Sequence, residues 1–344
     1  MKNSKNIKII VSYHKPASLL KSDIFMPIHA GRVIAREKSK DGNASECDLN
    51  WLFSNMRGDD SGENISALNR ELNEMTAIYW AWKNLTGNGG GADKVDYIGH
   101  MHYRRIFDFE DIFFSRWRRD CERLHASDGE FPELILRTMF MPSNEVVRNC
   151  LRECDALIPC AHTNEHFLER KGNLSEPYIP IPLVRKYLEI LQEKNPTADI
   201  DRALRSSKRH FWNIFVFRRD VFNAFCEFVF PPVFEFCSRF KDEFIAEKPG
   251  LSPMRLRRTP GFLAELSFHI FCSNLIARGN VSVRECGVVQ FKELATASNL
   301  GEFPMRFGKI AEAACNYFFR LDAEKRMKHK WRLISSWELL KRKF

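Results

Sequence analysis

No run of about 18 uncharged apolar residues, the length a spanning helix needs, occurs in the 344-residue chain. Its most apolar stretch, the Phe-rich segment 211–240, is interrupted by Arg218, Arg219, Asp220 and Glu227. A secretory leader is also missing from the reading: Met1 to Asn6 is polar, and Ile7 to Ser12 is too short for an h-region. There is no internal repeat or low-complexity tract. No GxGxxG follows the first apolar run, and no Gly-Lys-Ser/Thr loop, GxSxG or HExxH is present. These absences disfavour the common dinucleotide oxidoreductases, P-loop enzymes, α/β hydrolases and zinc proteases. Paired C-x-x-C knuckles are lacking as well. Cys150, Cys154 and Cys160, followed by His162, flank the apolar run Ala156 to Pro159, so they read as buried thiols rather than a zinc site. Reduced thiols place the expectation in the cytoplasm.

What is present is an ordinary globular composition, 44% hydrophobic and 28% charged, with 29 Phe that call for a thickly packed interior or an apolar contact surface. The net charge of +9 is uneven. Eight Lys and Arg between Lys325 and Phe344 face one acid, Glu338, so residues 1–324 are nearly neutral. A nucleic-acid partner would need basic charge spread along a face, and none is expected.

The β-branched run Ile7 to Val11 reads as the buried first strand of an α/β sheet, delivering Tyr13, His14 and Lys15 to its C-terminal edge. Ligands bind at that edge in open α/β sheets. The polar loop Gly58 to Asn64 follows. Ile65, Leu68, Leu72, Met75, Tyr79, Trp82 and Leu85 then recur every three or four residues, which predicts one amphipathic helix ending before Gly87. A second strand, 95–99, runs out into His100-Met101-His102-Tyr103-Arg104-Arg105. Further strands are expected at 155–159, 213–217 and 288–291, and helices at 183–194, 220–240 and 262–278, the last opening after Pro260-Gly261. Residues 108–150 read as an irregular or helical insertion. The alternation argues for an α/β fold over residues 1–300, followed by a C-terminal helical region, 301–344.

Three places have chemical potential. His102, Arg104 and Arg105 at a strand end suit the oxygens of a diphosphate, or else pair with Asp108, Glu110 or Asp111. Asp59, Asp60 and Asn64 offer groups to a nucleoside; Asp60 and Glu63 would equally serve as helix caps. Glu265 is either a general base at a pocket edge or an acid favoured in the first turn of a helix.

Lys8 to Lys15, Pro27 to Gly31, Gly58 to Ser66, Glu74 to Asn84, Tyr97 to Arg105, Asn213 to Val216 and Gly261 to Glu265 together resemble a known family. It comprises bacterial capsular and exopolysaccharide glycosyltransferases long catalogued as a domain of unknown function. Trp80-Ala81-Trp82-Lys83-Asn84 and His102-Tyr103-Arg104-Arg105 are the specific stretches, and the match spans about residues 7–275. The resemblance implies a GT-A-like nucleotide-sugar-binding sheet flanked by helices. It also implies an inverting hexosyltransferase that takes a UDP-sugar donor, galactose-type sugars included, and a lipid-linked oligosaccharide acceptor for capsule, O-antigen or exopolysaccharide. On that reading Glu265 is the base, and Tyr13, His14, Lys15, Asp59, Asp60, Asn64, His102, Tyr103, Arg104 and Arg105 hold the donor. Such folds usually end the corresponding strand in Asp-x-Asp, which binds a divalent metal. Here His102-Tyr103-Arg104 stands in that place, so no metal cofactor is expected. Leu266 stands where the family commonly has Arg, and residues 108–150 match little. A non-catalytic binding or scaffolding protein with a degenerate transferase fold is the alternative.

Met327, Trp331, Ile334, Trp337, Leu340 and Phe344 recur at helical spacing, with Lys and Arg on the flanks. This is the pattern of a helix lying in a membrane interface, peripheral at the inner face of the cell membrane, or else of a C-terminal helix docked on the catalytic domain with its Trp pair in a core groove and its charges solvated. Each basic residue near an anionic surface contributes about 1 kcal/mol. The full chain is therefore expected to co-sediment with vesicles of anionic lipid at low salt, and a truncation after Glu324 to lose that binding. Equal binding by both would show that the tail is not the anchor.

Overall fold

The computed structural model describes residues 5–17, 19–38, 42–86, 95–109, 142–163, 179–245 and 253–290. The basic tail and most of the 108–150 insertion lie outside them. The strands are β1 (Ile7–Tyr13), β2 (Phe25–His29), β3 (Arg57–Gly58), β4 (Tyr97–His102), β5 (Arg105–Phe107), β6 (Ala156–Pro159), β7 (His162–Thr163), β8 (Lys208–Arg209), β9 (Phe215–Arg218), β10 (Val283–Cys286) and β11 (Val288–Gln290). The main sheet runs β10-β6-β9-β4-β1-β2-β3. β4, β1, β2 and β3 are mutually parallel, while β9 runs antiparallel to both β4 and β6. A tight turn after His102 folds β5 back on β4, and β11 adds to β5.

The helices are α1 (Glu46–Asn55), α2 (Asn69–Leu72), α3 (Met75–Leu85), α4 (Asn144–Cys150), α5 (Ile181–Lys194), α6 (Ile200–Arg205), α7 (Arg219–Ile245), α8 (Pro253–Arg257) and α9 (Thr259–Arg278). Both faces of the sheet are covered. Side chains alternate between faces along a strand, so Ile10 and Ile98 pack with α3, α5, α7 and α9. Ile9, Val11, Tyr13, Tyr97 and Met101 pack on the opposite side with Leu52 of α1 and Val147 of α4. Burial on two faces is why β1 reads as a continuous apolar run rather than an alternating one. The phenylalanines fill the first layer: Phe215 and Phe217 stack 4.5 Å apart and meet Phe225 and Phe271. By length and composition α7 is apolar enough to cross a membrane, which the interrupted-run reading did not allow for. Here its Phe222, Phe225, Val229 and Phe236 are buried in the core, and the helix packs on α5 and α9.

Several boundaries differ from the sequence expectation. The single helix expected over 65–85 is broken into a 3-10 turn, Ser66–Leu68, then α2 and α3. The break is Asn73, whose φ of 52° is left-handed. The second strand continues through His100 and His102 instead of ending at Gly99. Gly99 lies so close to its neighbours that a Cβ there would sit 2.9 Å from the Phe215 carbonyl oxygen, so β4 and β9 depend on the missing side chain. α9 begins at Thr259, with Pro260 and Gly261 inside its first turn. Pro fits there because the N–H it lacks would have no helical acceptor.

Asp59 is wholly buried at the end of β3. Oδ2 accepts from the Gly31 N–H (2.8 Å) and the Thr76 hydroxyl (2.6 Å); Oδ1 accepts from the Arg32 N–H (3.1 Å) and the Ser66 hydroxyl (2.5 Å). One carboxylate thus joins the β2 exit, the 3-10 turn and α3. Asp59→Ala would leave buried donors unmet and is expected to cost roughly 3 kcal/mol or more, read as a lower denaturant midpoint. A change under about a third of that would contradict this role.

Candidate functional site

The C-terminal ends of β1 and β4 lie side by side, with Ser12 opposite His102 in register. The buried imidazole of His100 crosses beneath them. Its Nδ1 donates to the Asn213 carbonyl (2.6 Å), and its Nε2 accepts from the Ser12 hydroxyl (2.9 Å). A carbonyl can only accept, which fixes the neutral tautomer. Burial agrees with this, lowering the His100 pKa to about 3.

Asn213 is therefore held by its backbone, and its side chain reaches the other way. Its Nδ2 donates to Glu74 Oε1 (2.8 Å) at the start of α3, and His102 Nε2 lies 3.8 Å from the same oxygen. Burial alone would raise the Glu74 carboxyl. His102 and the Asn213 amide more than offset that and hold it well below the usual carboxylate range.

Glu265 stands on α9 beside this group. Its Oε1 accepts from the Trp212 N–H at 2.6 Å, and its Oε2 has no hydrogen-bond donor among the described residues. Burial raises its pKa; the nearby Glu74 charge adds to the rise, while Trp212, Arg105 and Arg258 oppose it. Two carboxylates in one cluster are thus biased in opposite directions, the pattern expected of groups with different proton roles. Because α9 starts at Thr259, Glu265 is beyond the first turn, and the helix-dipole reading of it does not apply.

Arg105 turns inward from β5. Its guanidinium lies 5.4 Å from the Trp212 ring centroid, and its buried Nε has no hydrogen-bond partner among the described residues. Arg104 lies over Tyr103 at 5.7 Å and is half-exposed. Arg258, whose charge also acts on Glu265, donates to the Asn73 side chain (2.6 Å). Gly261 allows that approach: a Cβ there would lie 2.1 Å from Asn73 Nδ2.

The expected donor residues divide into two groups. His14, Lys15 and Asp60 lie at or near the surface around the β1 and β3 ends, with Asp60 3.9 Å from Arg32. Asn64 is exposed but locally engaged, accepting from the Ser66 N–H and donating to the Gly62 carbonyl. Tyr13, Asp59 and Tyr103 are buried instead and do not offer a surface to a ligand. The tyrosine rings stack at 5.4 Å, and the Tyr13 hydroxyl accepts from the Leu20 N–H. They support the edge from below, with His14 against Tyr103 at 5.3 Å. Neither Asp60 nor Glu63 caps a helix; Glu63 accepts from the Tyr79 hydroxyl and pairs with Lys83. Sequence reasoning gave no role to Glu74, Trp212, Asn213 or Arg258. The chain's Asp-x-Asp, Asp199-Ile200-Asp201, is not at a strand end: Asp199 caps α6 through the Arg202 N–H.

A family model described as a domain of unknown function, DUF4422, matches residues 8–275. No curated protein matches the chain. Among solved structures, the apo form of the bifunctional glycosyltransferase WbbM is similar, with a TM-score of 0.60 and 24% identity. The match covers 85% of this chain and 46% of that one, so the present chain spans less than half the length of that protein. At this identity the likeness establishes a shared fold, an α/β sheet flanked by helices.

The bias at Glu265 predicts a pH effect on stability. Folding favours its protonated form, so wild-type stability falls as pH rises from the unfolded carboxyl value near 4.5 toward the higher folded value. Glu265→Gln, which still accepts from Trp212, escapes that loss. Its stability relative to wild type is expected to improve from pH 4 to pH 8 in denaturant titrations. A difference that is flat or shrinks with pH would refute the bias.

Proposed function

The chain belongs to the DUF4422 family, and we propose that it is a glycosyltransferase moving a sugar from a UDP-sugar to a glycan acceptor, with inversion at the anomeric carbon. The observation that supports this most is the cluster at the C-terminal edge of β1 and β4. There, one carboxylate with an oxygen that meets no donor among the described residues stands beside a second, ionised one and a set of cationic groups. The fold shared with a glycosyltransferase gives that cluster its context.

On this reading Glu265 Oε2 takes the proton of an acceptor hydroxyl as its oxygen attacks the anomeric carbon. The bond from that carbon to the diphosphate breaks, and the leaving oxygen departs with the electron pair. His102, Arg104 and Arg105 face the growing charge on the diphosphate, where fixed cations lower the barrier most. His14, Lys15 and Asp60 are the accessible groups for the nucleoside, with Asn64 at its margin. A divalent cation does not suit this donor set: two guanidinium groups stand at the end of β4, where an acid pair would be needed. The lipid-linked acceptor, the galactose-type donor, the role in surface-polysaccharide synthesis and the peripheral membrane location are parts of the same proposal. They rest on the family resemblance and the tail pattern.

A panel of UDP- and GDP-sugars tests the reading. One UDP-sugar is expected to be consumed, and turnover to survive EDTA. Loss of activity in EDTA with recovery on manganese would overturn the metal-free account. If every donor stays intact and no nucleotide shifts the melting temperature, the protein is a binding or scaffolding member of the fold. Glu265→Gln is expected to lower kcat by roughly 10²-fold with little change in donor KM. Arg104→Ala should raise KM as well as lower kcat, because the diphosphate is charged in both ground and transition states.

A further inference from the structure

Asn73, Trp212 and Asn213 are non-glycine residues with left-handed φ, of 52°, 77° and 50°. All three bear on the site, although 139 residues separate Asn73 from Trp212. Such backbone is strained and persists only where neighbours enforce it.

The neighbours are explicit. His210 starts the 210–213 turn with its N–H on His269 Nδ1 (3.3 Å), and its Nε2 contacts Glu285 Oε1 at 2.9 Å. Asn213 closes the turn, its carbonyl on His100 and its amide on Glu74. Between these ends the Trp212 N–H is aimed at Glu265. A left-handed pair is what turns the Trp212 N–H and the Asn213 side chain toward two different carboxylates. Asn73, next to Glu74, is fixed independently by Asn69, which donates to its carbonyl, and by Arg258, which donates to its side chain.

We propose that Glu74 is a positioning residue for Glu265: through Asn213 it anchors the left-handed turn that presents the Trp212 N–H, and its charge faces the base across the site. This rests on Glu265 being the general base. Glu74 has no proton to transfer in this scheme, since Asn213 and His102 both approach the same oxygen. The charged and titratable groups around Glu265 are Glu74 from the α2–α3 junction, Arg105 from β5 and Arg258 at the start of α9. Those around Glu74, among the described residues, are His100 and His102 from β4, Arg105 from β5 and Glu265 itself. Removing the Glu74 charge takes away a group that favours the proton on Glu265, so the base becomes weaker.

The test compares the wild-type chain with Glu74→Gln, which keeps an acceptor for Asn213, and with Asn213→Gly, which relaxes the left-handed backbone but deletes the amide. The Glu265 carboxyl is followed by carbon NMR as pH is varied, assigned with Glu265→Gln. Activity is measured in parallel. In Glu74→Gln the Glu265 titration is expected to move to lower pH. The acidic limb of kcat/KM should move with it, and kcat should fall roughly tenfold at unchanged donor KM. Asn213→Gly should lower kcat and move the Glu265 titration to higher pH, because the Trp212 N–H is no longer held on it; its stability should fall as well, since Glu74 loses its amide donor. An unmoved Glu265 titration in Glu74→Gln, or an Asn213→Gly variant with normal kcat, overturns the proposal even if the enzyme is active. A titration that moves in a protein that consumes no donor would uphold the positioning and refute the glycosyltransferase reading instead.

Discussion

The site depends on one transverse chain of hydrogen bonds: Ser12 to His100, His100 to the Asn213 carbonyl, and the Asn213 amide to Glu74. Its members come from β1, β4, the turn before β9 and the start of α3, so it crosses three adjacent strands and ends on a helix. Each polar group along it is buried or nearly so, and unpaired it would cost desolvation with no return. His100 makes the crossing possible because an imidazole can donate at one nitrogen and accept at the other. Neither a phenyl ring nor a charged side chain at that position does both.

The surrounding structure is arranged to keep that chain in place. β9 runs antiparallel between β4 and β6, and its register with β4 pairs His100 with Phe215. The Asn213 turn therefore arrives at the same edge as the parallel strand ends. Gly99 lets β9 come close enough, and the Phe215, Phe217, Phe225 and Phe268 cluster packs behind it. On the other side, Asp59 ties the β2 exit to α3 through Thr76, two residues from Glu74. α9 then supplies Glu265 against a turn whose backbone is already set. The two carboxylates differ in charge preference because one meets His102 and an amide donor, whereas the other is buried with a like charge nearby.

Much of the sheet was legible because its signals are local. The apolar run of β1, the strand carrying Tyr97 and Ile98, the helices α5 and α7, and the C-terminal strand at Val288 all follow from residue type and spacing. Glu265, His102, Arg104 and Arg105 could be singled out as candidates because unusual residues stand next to strong strand or helix signals. The misses share a cause. The helix break at Asn73 was invisible because the amphipathic period continues across it. The left-handed φ of Asn73 is held by Asn69, Arg258 and the bare Cα of Gly261, which are distant or structurally unmarked in sequence. Asp59 and Tyr13 looked like ligand groups because polarity at a strand end does not reveal which partners fill its lone pairs.

The α/β class, the strand edge that gathers polar side chains and the cationic character of the β4 terminus can all be read from short-range periodicity and side-chain type. Which acids come together in the candidate site, and how each is biased, depends on long-range packing. Glu74, Asn213 and Glu265 are far apart along the chain and meet only through the antiparallel insertion of β9 and the packing of α9. A carboxylate's charge preference is set by the donors and burial around it, and those belong to the folded neighbourhood rather than to the residue.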